Sequence, residues 1–229
     1  MKRIFFVLFL ILSTNLLGQN QKIGLEAKIG VNYTLAIIRN RNIIDTNQLK
    51  IYYQDLNSRF GYTLSFESLI PLSKKWKLNC GLLMMLSNLT HNLDSKLKFG
   101  SGQGADSKIQ ANIGFLELGV PLYVYRTFGN NRLGIGLEAR YIFTRDIQYI
   151  FYESGVKTNV SIFNKNKEFI DNKNFVLGLS YLNYPFSNKK AKRLGWGIDF
   201  RIYLSQEKLY VTNTPYRRMN CGVNFVYKI

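Results

Sequence analysis

One histidine, two cysteines and two tryptophans are all that 229 residues provide of those types. A single imidazole and two thiols cannot build a zinc centre if the thiols point away from it. Two cysteines are also too few to staple a small exported domain. Both Cys80 and Cys221 fall on the apolar side of alternating stretches, where a thiol behaves as a small hydrophobe. Acid is scarce too: 14 Asp and Glu stand against 31 Lys and Arg, a formal net charge of +17. No segment sustains the i, i+3, i+4, i+7 spacing of an amphipathic helix, so helix is minor. Mean hydropathy is −0.10, and nothing beyond the N-terminus is apolar for long enough to cross a membrane as a helix.

That one apolar run, Ile4 to Leu12, follows Met1-Lys2-Arg3 and precedes the more polar Ser13 to Gly18. The order of basic, apolar and small-residue regions is that of a secretory signal peptide. Residues 1–18 are therefore expected to be removed, with cleavage after Gly18 or Gln19, and residues 19–229 to form one domain. In an exported chain the basic excess points to anionic lipid headgroups rather than nucleic acid, or to well-solvated loops and nothing more.

Strict period-two alternation is what the sequence has in quantity. Met219, Cys221, Val223, Phe225, Tyr227 and Ile229 alternate with Asn220, Gly222, Asn224, Val226 and Lys228. Leu194, Trp196, Ile198, Phe200, Ile202 and Leu204 alternate with Gly195, Gly197, Asp199, Arg201 and Tyr203. Similar stretches run at 22–37, 59–70, 76–90, 109–126, 132–145 and 174–186, which makes eight predicted strands. In the fourth, Ile109, Ala111, Ile113 and Phe115 are odd, whereas Leu116, Leu118, Val120, Leu122 and Val124 are even. One inserted residue near Phe115, a β-bulge, would bring both sets to one face. Loops are expected at 38–58, 91–108 and 146–173, the Ile147 to Tyr152 part of the last being strand projecting beyond the membrane.

Three features favour a membrane barrel over a water-soluble one. The strands exceed the nine to eleven or so residues needed to cross a bilayer at a tilt. Short and long connections alternate, as in outer-membrane barrels. The less apolar faces carry Glu26, Lys28, Glu67, Lys77, Glu117, Glu138, Arg140, Asp199, Arg201 and Lys228. A soluble barrel would put such charge outside. An inverted barrel turns it inward, where five acids and five bases can pair or else meet water at the ends. Trp196, Ile198, Phe200, Val223, Phe225 and Tyr227 then face lipid. The expected fold is an all-β, eight-stranded antiparallel up-and-down transmembrane β-barrel, monomeric, in the cell outer membrane.

The fourth and fifth strands carry a family resemblance. Leu116-Glu117-Leu118, then Val120-Pro121-Leu122 and Tyr125, a short turn, then Gly134 and Gly136 resemble the core of the PorT-like outer-membrane β-barrel proteins of Bacteroidota. Gly119 interrupts the pattern. What the resemblance implies is fold and location, since many members of that family have no known activity.

Few residues suggest chemistry. His91 has Asp94 and Ser95 close in sequence, and some outer-membrane enzymes that modify lipid A use His, Ser and an acid near the outer rim. A solvated loop histidine is the plainer reading. Gly100-Ser101-Gly102-Gln103-Gly104 lacks the Gly-Lys-Ser/Thr of a phosphate loop. The expected role is structural or interactive, through outer loops that meet outer-membrane lipids or an envelope protein. It calls for no catalysis, cofactor, metal or nucleic acid. The alternatives are a lipid-A-modifying enzyme centred on His91 and a narrow channel.

Overall fold

A strand with one apolar and one polar face leaves a row of unpaired backbone groups at every sheet edge, and closing the sheet removes them all. The computed structural model describes residues 23–38, 44–45, 49–97, 106–153, 156–162, 173–185, 193–208 and 215–229. The segment read as a signal peptide lies outside these. The described strands are β1 (Gly24–Ile38), β2 (Ile44–Asp45), β3 (Leu49–Pro71), β4 (Trp76–Leu97), β5 (Asp106–Phe128), β6 (Asn131–Glu153), β7 (Val156–Ile162), β8 (Lys173–Asn183), β9 (Leu194–Tyr203), β10 (Glu207–Lys208) and β11 (Pro215–Lys228). Eight of them form an antiparallel ring in the order β1-β3-β4-β5-β6-β8-β9-β11, and β1 pairs with both β3 and β11 to close it. The short β2, β7 and β10 pair alongside β3, β6 and β11.

The stagger of the ring fixes its width. Lys173 pairs with Tyr141, Tyr141 with Leu118, Leu118 with Met84, and Met84 with Leu64. Leu64 pairs with Ile29, Ile29 with Phe225, Phe225 with Trp196, and Trp196 with Asn183. The walk begins and ends on β8, at residues 173 and 183, a stagger of ten. For eight strands this gives a tilt of about 40° and a backbone cylinder about 8 Å in radius. That cylinder has room for side chains but none for an open lumen.

Each residue then climbs about 2.5 Å along the axis, so a strand the length of β8 rises about 25 Å. This is the height of the lipid belt of an outer-membrane barrel. Over that height the outside is apolar. Ile29, Phe60, Tyr62, Phe66, Leu82, Ile135, Phe175, Val223 and Phe225 are all exposed large hydrophobics. The buried inside over the same height holds Glu26, Glu67, Glu117, Glu138, Asp199, Arg132, Arg140, Arg201 and Arg218.

The wall is uneven. β3, β4, β5 and β6 have 23, 22, 23 and 23 residues, whereas β8 and β9 have 11 and 10. The long strands project about 25 Å beyond the belt. There the two faces exchange character. On β4 the buried residues become Leu89, His91 and Leu93, while Asn88, Asn92 and Asp94 turn outward. On β5, Ala111 and Phe115 are buried, while Lys108 is exposed and Gln110 and Asn112 are partly so.

This exchange corrects the sequence reading of the fourth strand. β5 keeps one phase: Ala111, Phe115, Glu117, Tyr123 and Tyr125 all point inward. The register shift opposite Gly114 and Phe115 skips Arg145, so the extra residue lies on β6. What changes at Phe115 is the solvent outside, from water to lipid. The expected loops are corrected in the same way. Residues 49–58 and 91–97 are strand, residues 147–152 are strand as expected, as part of β6, and residues 156–162 pair back on β6 as β7. Among the described residues Cys80 and Cys221 are free thiols, half-buried and exposed respectively.

Candidate functional site

The interior is a column of charge read from the periplasmic mouth upward. At the mouth Arg132 Nη1 donates to Glu26 Oε1 at 2.7 Å, and the Tyr184 hydroxyl donates to the same oxygen at 2.5 Å. The Lys228 ammonium lies 3.3 Å from the centre of the Tyr184 ring. Two residues along β1, about 5 Å higher, Lys28 pairs with Glu67, which also accepts from Ser65 at 2.7 Å. Tyr123 and Tyr125 stack beside this pair with ring centres 5.8 Å apart.

Their rings need the glycines of the neighbouring strands. A Cβ on Gly134 would stand 2.6 Å from the Tyr125 ring, and one on Gly136 would stand 2.6 Å from Tyr123 Cγ. Glycine on one strand thus makes the slot for tyrosine on the next.

Two carboxylates organise the upper half. Glu138 accepts from the Tyr123 hydroxyl at 2.6 Å, from Arg201 Nε at 2.9 Å and from both Nε and Nη2 of Arg140. Arg201 Nη2 also reaches Asp199 at 2.9 Å, which accepts from Asn224 at 2.7 Å. Glu117 accepts from Arg140 Nη1 at 2.7 Å, Arg218 Nη1 at 2.7 Å, the Tyr203 hydroxyl at 2.5 Å and the Ser87 hydroxyl at 2.8 Å. Arg218 is sandwiched over Phe115 and Tyr203, 4.5 and 4.3 Å from their ring centres. Buried charge is tolerable when each ion is both paired and hydrogen-bonded. Above Arg218 the column ends under an apolar layer of Leu56, Leu89, Phe115, Ile142 and Tyr216.

Of the charged residues read from sequence, Glu26, Lys28, Glu67, Glu117, Glu138, Arg140, Asp199 and Arg201 all take part in interior ion pairs. Lys77 and Lys228 stand half-buried at the periplasmic rim. Arg132 and Arg218 belong to the column and were not among the expected residues. Parity would have found them. Arg132 shares its face with Gly134, Glu138 and Arg140, and Arg218 with Asn220 and Asn224. Of the residues expected to face lipid, Trp196, Ile198, Val223, Phe225 and Tyr227 are exposed on the outer wall, and Phe200 is partly exposed there.

His91 stands inside the projecting wall, above the lipid belt, 1% exposed and with Nε2 unpartnered. Burial pushes its pKa down to about 4, only partly offset by Asp55. Strand period separates it from its sequence neighbours. Asp94 turns to the opposite face. Ser95 is four residues along, about 13 Å away, and bonds to the Ser107 hydroxyl at 2.9 Å. The expected His-Asp-Ser grouping is therefore not assembled. Among the described residues no group of three His, Cys, Asp or Glu is placed to hold a metal.

No protein-family model and no curated protein matches the sequence. Solved structures similar in shape include Ail, the attachment invasion locus protein of Yersinia pestis. It is 10% identical with a TM-score of 0.39, over 90% of this chain and 100% of that one. The outer membrane protease OmpT of Escherichia coli is 8% identical with a TM-score of 0.44, over 92% and 99%. Neisserial surface protein A is 8% identical with a TM-score of 0.37, over 91% and 100%. Location follows from the barrel's own surface. A closed barrel with lipid-compatible residues outside and paired charge inside is stable only in a bilayer, and such barrels belong to outer membranes. The protein is an integral outer-membrane β-barrel.

Proposed function

We propose that this barrel is a non-enzymatic envelope protein that acts through its projecting extracellular wall. It would be monomeric, made with a cleaved N-terminal signal and related to the PorT-like barrels of Bacteroidota. The observation that carries this reading is the extension of β3–β6 beyond the lipid belt, with polar residues outside and Leu56, Leu89, Leu93 and Ala111 buried within beside His91 and Gln54. Strands built to stand in water present a rigid platform, and loops on rigid platforms carry recognition. The filled interior argues against transport as the main task, since the ion pairs from Glu26 to Arg218 occupy the cylinder.

The test replaces residues 98–105, the connection at the tip of β4 and β5, with a short Gly-Ser linker. The altered barrel should keep its heat-modifiable gel mobility and lose an envelope protein that co-purifies with the parent from native membranes. An unchanged set of co-purifying proteins would count against an interaction role for that tip.

A further inference from the structure

The lipid-facing wall is not uniformly convex. On β6 the outward residues are Leu133, Ile135, Leu137, Ala139, Tyr141 and Phe143. Ala139 is the small member of that series. Its direct cross-strand partners are Val120 on β5 and Phe175 on β8. A groove of about 700 Å³ opens there, running across to Leu64, Phe66 and Leu82. That volume lies within the range of roughly 300–1,000 Å³ usual for ligand sites.

The direction of the groove matters more than its size. The stagger of the ring puts Lys173 at its upper edge, level with the top of the belt, beside Tyr141. From there the floor descends strand by strand through Leu118 and Met84 to Leu64, about 12 Å lower. Phe66 and Leu82 lie deeper still. The site therefore has an exposed cation at headgroup height and an apolar trough pointing toward the bilayer centre. An ammonium at this boundary attracts phosphate, and the trough suits a hydrocarbon chain. Lys173 lies at the extracellular end of β8, the end from which the long strands project, so the phosphate it meets belongs to the outer leaflet.

We propose that this groove holds one phosphorylated, acylated glycolipid of the outer leaflet, with a phosphate on Lys173 and an acyl chain lying over Ala139. The assignment rests on the barrel spanning the outer membrane.

The full barrel, purified in non-ionic detergent, is titrated with lipid A, with lipid A stripped of its phosphates and with dioleoyl phosphatidylglycerol. Native mass spectrometry counts the bound lipid. One lipid A should stay bound to the parent protein. Lys173→Gln should weaken lipid A by about tenfold and leave the stripped lipid unaffected. Ala139→Phe, which fills the trough, should weaken both. Parent-like binding by both variants would overturn the site. Equal binding of the stripped lipid would remove the phosphate from it, and equal binding of phosphatidylglycerol would remove the glycolipid. Heat-modifiable mobility of each variant reports the closed barrel separately. A parent protein that is soluble without detergent would sink the membrane reading itself, not just the groove.

Discussion

Glu117 shows what one buried carboxylate does in this interior. It faces two arginines, a tyrosine and a serine, all within 2.8 Å. Glu117→Gln removes the carboxylate that Arg140 and Arg218 share, so that both buried pairs to it are broken while Arg140 keeps Glu138. Breaking a buried pair in this way costs about 3–5 kcal/mol, which should appear as a lower urea midpoint for the detergent-folded barrel. Lys74→Gln, on the exposed β3–β4 turn, should stay within about 0.5 kcal/mol. His91 gives a prediction with a sign. Its pKa is near 4 in the fold and about 6.5 in an unfolded chain. The folded state binds fewer protons, so its stability is fully present above pH 6.5 and is lost as pH falls toward 4. His91→Gln should flatten that loss between pH 7.5 and 4.5. Arg132 and Arg218 mark the limit of reading single residues from sequence. Arg132 opens one predicted strand and Arg218 stands one residue before another, where an arginine looks like a turn residue until its parity is followed inward.

Strands were legible wherever their two faces met different solvents. Inside the belt the contrast is charge against hydrocarbon, as on β9 and β11, and the alternation is plain. Beyond the belt it blurs. On β3, Gln54 is buried beside Leu56, and Tyr53 is exposed beside Asp55 and Asn57, so the segment reads as loop. On β5 the apolar residues change sides in step with the solvent, which mimics a bulge. Two glycines separate the reasons a strand or turn needs that residue. Gly129, in the β5–β6 turn, has φ of 56° and open space around it. Gly129→Ala should cost only the left-handed strain, about 1 kcal/mol. Gly136→Ala drives a methyl against the Leu122 carbonyl and the Tyr123 ring. It should cost more, because Tyr123 cannot move without releasing Glu138. Urea midpoints of the two variants under identical conditions rank them.

As a whole, the molecule is a closed cylinder filled with paired charge and capped by an apolar layer. Planar-bilayer recordings of the parent should show no steady conductance. Replacing Glu138, Arg140 and Arg201 together with alanine empties the middle of the column and should introduce flickering conductance. A steady open level in the parent would contradict the filled interior. Barrel closure, face inversion and the presence of an interior charge set followed from the sequence because they rest on parity, strand length and the alternation of connections. The groove at Ala139 did not, since it depends on which outward side chains the stagger sets side by side.

The same column dictates an order of events. Its bonds join residues far apart in the chain: Arg132 to Glu26 across 106 positions, Tyr184 to Glu26 across 158, and Arg218 to Glu117 across 101. None of these can form until the strands between have come round, so a half-built sheet holds local pairs such as Glu138–Arg140 and Asp199–Arg201 but leaves Glu26 without Arg132 and Glu117 without Arg218. Insertion therefore has no comfortable resting place short of completion. The first strand's Glu26 waits for Arg132 and Tyr184, the last strand's Arg218 completes Glu117, and the finished barrel should unfold slowly, because opening the wall breaks these long-range bonds together.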